Sequence, residues 1–148
     1  GVVRVSESKS EYRDLTEHFI TSATPYFVKI LGKDTNDNSR EHAVDILGHF
    51  NRVGFEVLKK KSFDTSILNS FITALLEDKV ERVRYAVAAR LVKPSPYYEM
   101  KRSDTEKDRL AEKLLRASAD SSDIVRKFVA ETMGNIGIEE DPKHNLTY

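Results

Sequence analysis

His42 and His49 lie seven positions apart with Asp45 between them. On a helix that spacing returns to one face, so the three side chains have the makings of a zinc-type ligand set. A plainer reading is preferred. Glu41, Asp45, His49 and Arg52 also fall where solvated charges form local ion pairs along a helix. Near the end of the chain Glu139, Glu140 and Asp141 crowd together, but nothing there would desolvate a carboxylate enough to make it a general acid. The chain contains no glycine-rich phosphate loop, nucleophile elbow, His-Glu-x-x-His zinc helix or calcium loop. Cysteine is absent, which removes disulfides, thiolate ligands and a cysteine nucleophile together. Asn145-Leu-Thr147 spells a glycosylation sequon and is read as coincidence. No catalytic residue, metal or cofactor is expected.

The remaining chemistry is that of binding. Lys59, Lys60, Lys61, Lys101, Arg102, Lys113, Arg116 and Lys127 would suit a phosphate backbone if they lined one side, with Tyr97 or Tyr98 free to stack on a base. Glu99, Asp104, Glu106, Asp108 and Glu112 interrupt them, and the 24 Lys and Arg are balanced by 24 Asp and Glu. A chain with no net field is not drawn to polyanions, so nucleic acid is the alternative partner rather than the first. Tyr97, Tyr98 and Met100 follow two prolines, Pro94 and Pro96. On a stiff loop they are good interface anchors; equally, they are good plugs for a gap between helices.

These residues need elements to position them. A chain of 148 residues, 39% hydrophobic and 32% charged, suits one helical domain with solvated outer faces. No apolar run approaches the roughly 18 residues of a membrane span. The start, Gly1-Val2-Val3-Arg4, lacks both an initiator methionine and a signal segment, so an excised fragment or processed product is expected, in an intracellular, cytoplasmic setting. Ser8-Lys-Ser-Glu11 reads as a capping box opening a first helix. Pro25 reads as the first turn of a second helix, carrying Tyr26, Phe27, Ile30 and Leu31. Asn38 with Glu41, Asp78 with Glu81, and Ser103 with Glu106 mark later starts. Leu75, Val87, Leu91, Leu114, Val129 and Met133 are predicted to share one core.

Three stretches superpose on one another. Asp34 precedes Arg40 by six positions, Asp78 precedes Arg84 by six, and Asp120 precedes Arg126 by six. Each arginine is followed by small and β-branched residues at helical spacing: Ala43 and Val44, Val87 and Ala88, Val129 and Ala130. Recurrence at about forty residues implies stacked helix pairs, here over residues 24–54, 66–93 and 104–137. The first copy departs, with Ser39 where the others carry Val83 and Val125, and His42 where they carry Ala86 and Phe128.

Val83-Arg84 with Val87, Ala88 and Leu91, and Val125-Arg126 with Val129, Ala130 and Met133, resemble the HEAT-repeat family of armadillo-like proteins. That resemblance implies an all-α solenoid of about three antiparallel helix pairs, preceded by an N-terminal capping helix. It also implies a ladder of turn aspartates and helix arginines between neighbouring copies, and a scaffold that holds a protein or peptide on its concave face rather than an enzyme. Counting from each arginine, Glu41, Tyr85 and Lys127, then Asp45, Ala89 and Glu131, should face that partner. Glu41, Asp45, Tyr85, Lys127, Tyr97 and Tyr98 are therefore the candidate partner-binding residues.

Overall fold

A computed structural model describes residues 2–60, 64–92 and 104–135, with side chains from residue 9 onward except those of 104, 106 and 107. Six helices account for nearly all of them: α1 (Val2–Lys33), α2 (Asp37–Glu56), α3 (Thr65–Glu77), α4 (Glu81–Val92), α5 (Asp104–Ala117) and α6 (Asp123–Asn135). No strand occurs among the described residues. The protein is all-α.

The helices pack in two layers. In one, α2 lies on α4 and α4 on α6; in the other, α1 lies on α3 and α3 on α5, and each odd helix also packs on the even helix that follows it. The cause is a pair of apolar stripes. Ile67, Leu68, Phe71, Ile72 and Leu75 on α3 face Val83, Val87, Ala88 and Leu91 on α4, all buried in one cluster that also holds Leu114, Val129 and Met133. Ala43 and Ala88 are almost completely buried, and their small side chains let neighbouring backbones approach closely. All six residues predicted for the common core lie in it.

The N-terminal part differs from the sequence expectation. Instead of a capping helix followed by a second helix at Pro25, one helix of 32 residues runs through that proline. A proline inside a helix removes one N–H donor and crowds the preceding turn. Here Ala23, Phe27, Val28 and Leu31 on either side of it pack against the core, and the Thr24 hydroxyl donates to the Ile20 carbonyl at 2.7 Å. Burial on both sides outweighs the local penalty. The Ser8–Glu11 box consequently lies within a helix and not at its start.

Local capping fixes the remaining boundaries. Asn36, not Asn38, caps α2, its side-chain oxygen accepting from the Ser39 amide at 3.0 Å. Asp64 caps α3 by accepting from the Ile67 amide at 3.0 Å. The buried Asn51 accepts from the Asp64 amide at 3.1 Å, which ties the start of α3 to the middle of α2. Gly54 lies buried inside α2. Residues 93–103, with Tyr97, Tyr98 and Met100, and the tail from residue 136 lie outside the described residues.

Gly48 shows how tightly the even-numbered helices meet. A β-carbon there would stand 2.8 Å from Cδ of Arg90. Arg90 crosses from α4 over this glycine and reaches Asp45 at 3.5 Å. Gly48→Ala is expected to push Arg90 off Asp45. The loss is small because that pair is largely solvated, and alanine recovers up to about 1 kcal/mol of helix propensity. Thermal unfolding should therefore show a midpoint within a few degrees of the parent.

Candidate functional site

The six aligned aspartates and arginines form an interlock that repeats in detail. Arg40 donates from Nε and Nη2 to both carboxylate oxygens of Asp78, at 2.8 and 3.1 Å. Arg84 treats Asp120 the same way, at 2.9 and 3.2 Å. The third guanidinium nitrogen, Nη1, turns back to the carbonyl of its own turn aspartate: Arg40 to Asp34 at 3.0 Å, Arg84 to Asp78 at 3.0 Å, Arg126 to Asp120 at 2.6 Å. Each aspartate carboxylate also accepts an amide two residues on, from Asn36, Val80 and Ser122.

The six-residue spacing explains this. It places each arginine one turn inside its helix, where a long side chain can fold back over the helix start. The carboxylate sits where the helix dipole favours negative charge, and the planar fork matches both of its oxygens. In the two internal pairs the side chains are 13% and 6% exposed (Arg40, Asp78) and 12% and 8% exposed (Arg84, Asp120). The hydrogen bond that Arg40 donates to Asp78, opposed by burial, holds its guanidinium above the usual range. Any stability gained from that shift is present below the unfolded-state pKa and is lost only above it, beyond any working pH. These groups hold copies together.

The surface of the even-numbered helices is organised differently. Arg82 on α4 reaches across to α2, donating to Asn38 Oδ1 at 2.7 Å and pairing with Asp37 at 3.3 Å and with Glu41. Arg90 meets Asp45 one turn further on. Tyr85 stacks edge-on against Phe128 of α6, with ring centroids 5.5 Å apart, and keeps 38% of its surface in solvent. Lys127 and Glu131 are exposed on α6. Glu41 and Asp45 are thus engaged between helices, whereas Tyr85 on α4 and Lys127 on α6 keep exposed surface. The cross-helix arginines escaped the sequence reading, since their register is set by packing rather than by local spacing.

His42 and His49 stand exposed on α2. Among the described residues no group of three or more His, Cys, Asp or Glu side chains is placed to hold a metal. Of the basic residues singled out in the sequence, Lys61, Lys101 and Arg102 lie outside the described residues; Lys113 and Arg116 belong to α5, Lys127 to α6, and Lys60 pairs with Glu17 of α1 at 3.3 Å. No helix among the described residues is long and apolar enough to cross a membrane.

The odd-numbered layer carries a groove of about 930 Å³ between α1 and α3, with Pro25 and Lys29 on one wall and Ser66, Ser70 and Thr73 on the other. It exists because α3 turns short polar side chains toward α1 at helical spacing.

No family model, curated protein or solved structure matches this chain.

Proposed function

We propose that this chain is a noncatalytic HEAT-like repeat module whose even-numbered helices form the concave face of a scaffold for a protein or peptide. The observation that carries this reading is the Arg–Asp interlock, made twice with the same atoms between successive copies. An interlock of this kind uses the most reactive-looking side chains for stacking. What it leaves on the even-numbered helices is a surface of both signs around a half-exposed tyrosine.

Such a surface suits a peptide of mixed charge better than a phosphate backbone, which needs cations in a row. Tyr85→Ala combined with Lys127→Ala is expected to weaken capture of the partner about tenfold or more. Loss of the Tyr85–Phe128 contact should lower the melting temperature only modestly. Affinity capture in moderate salt, followed by a binding titration of the captured polypeptide, provides the measurement. Labelled duplex and single-stranded DNA, titrated at two salt concentrations, serve as the control. Tight binding that falls steeply with salt and is lost on removing Lys59, Lys60 and Lys61 would replace the protein scaffold with a nucleic-acid binder.

A further inference from the structure

The outer face of α3 stands apart from every other helix surface. Each of the other helices carries four or more charged residues, whereas α3 carries one, Glu77, at its last position. What α3 turns to solvent is Thr65, Ser66, Asn69 and Thr73, with Ser70 half-buried among them, in a chain of which 32% of residues are charged. Short neutral side chains lose less rotamer freedom and less hydration than charged ones when a partner covers them. The face is suited to being covered.

Both flanks of this face are basic. Toward α1 the groove is lined by Lys29, Lys33 and Lys79; toward α5 a smaller recess, of about 310 Å³, is lined by Arg109 and Lys113 and by no carboxylate. All five cations are exposed. Three carboxylates line the larger groove, but Asp78 is held by Arg40 and Asp34 accepts the Asn36 amide. That leaves Glu77 against three lysines, none of them ion-paired among the described residues. In a chain of zero formal net charge, such segregation favours an acidic partner.

The geometry of the larger groove narrows the partner further. Arg40 donates both to the Asp34 carbonyl and to the Asp78 carboxylate, so the ends of α1 and α3 lie together, with Lys33 and Lys79 beside them. Away from that basic end the floor is apolar, formed by the buried Leu31 and Ala74 and the half-buried Val28. From Ser66 to Glu77 α3 rises about 16 Å, the length of about five residues of extended chain. An extended segment brings amides and carbonyls that the α3 hydroxyls and Asn69 are able to pair, whereas a helix has already paired its own. Among the described residues no aromatic side chain lines either hollow, so a nucleic-acid strand would find nothing there on which to stack.

We propose that the groove between α1 and α3 is a second binding site, receiving an extended acidic segment of a partner protein. Its apolar side chains would rest on Val28, Leu31 and Ala74, and its carboxylates would meet Lys29, Lys33 and Lys79. The site is independent of whatever the even-numbered helices bind.

Fluorescence anisotropy with a labelled peptide is the test. The probe has eight residues, with valines at the second and fourth positions and glutamates at the last four, so that an extended chain carries both valines on one side. The full chain should bind it, and should bind the counterpart with lysines in place of the glutamates about tenfold or more weakly. Lys29→Glu combined with Lys33→Glu reverses two exposed charges, while Thr73→Phe fills the groove and leaves the charge unchanged. Both variants should keep the parental circular dichroism and lose affinity for the acidic probe about tenfold or more. Thr73→Phe separates docking from bulk attraction. Affinity lost on charge reversal but retained in Thr73→Phe would mean that the field alone holds the peptide, and would overturn the proposal. It is equally overturned if the acidic probe does not bind, if the lysine peptide binds as well, or if labelled single-stranded DNA binds more tightly and is released by the same variants. Self-association seen by sedimentation velocity and abolished by Thr73→Phe would seat a second copy of the chain in the groove and would also overturn it.

Discussion

Val87→Asp is expected to leave the chain largely unfolded. Val87 is completely buried on α4, within the cluster that joins all three helix pairs. A carboxylate there would be buried among apolar side chains, and protonating it still buries a polar group. The loss should reach about 5 kcal/mol or more, in the range of a domain's whole stability. Far-UV circular dichroism at 25 °C should show most of the helical signal gone. Val87→Ala is the control: removing two methyl groups should cost about 2 kcal/mol and leave a folded, less stable chain. A folded Val87→Asp variant of near-parental stability would mean that α4 does not pack as described.

Arg84→Ala should have the next largest effect. It leaves the buried Asp120 carboxylate without its bidentate partner and the Asp78 carbonyl without the Nη1 donor. Stranding one member of a mostly buried pair costs about 3 kcal/mol, which for a chain of this size lowers the melting temperature by about 10 °C. Arg126→Ala removes the same residue type from the same place in the repeat. Its carboxylate contact is to the 93%-exposed Asp123, so in the monomer it should cost no more than about 1 kcal/mol. Differential scanning calorimetry at low protein concentration compares the two. Equal losses would show that position within the array, internal or terminal, has no bearing on what the arginine contributes.

The repeating elements are legible in the sequence because local rules fix them. Asp and Arg six apart, followed by apolar residues at helical spacing, define a turn, a helix start and a buried face without knowledge of anything distant. Pro25 misled for the same reason. A proline reads locally as a boundary, but here the flanking apolar residues are buried in the same core and hold both halves of α1 on one axis. The cap of α2 is Asn36 and not Asn38 because Asn36 holds the extended backbone of a cap while Asn38 already lies within the helix, where its oxygen accepts from Arg82 of another copy.

The candidate surface was only partly legible. Counting from the arginines placed Tyr85 and Lys127 on the even-numbered helices. That Glu41 and Asp45 are answered by Arg82 and Arg90 depends on how α4 slides along α2, an offset set by packing that no spacing within one helix reveals.

A double-mutant cycle on Arg84 and Asp120 tests the interlock most directly. Unfolding free energies of the parent, Arg84→Ala, Asp120→Ala and the double variant, measured by urea titration, give the coupling between the two side chains. If they bind each other across copies with the bidentate geometry described, the coupling should be about 2 kcal/mol and the double variant more stable than the two single losses imply. Additive losses, with coupling near zero, would contradict the interlock and remove the basis for reading these helices as a stacked array.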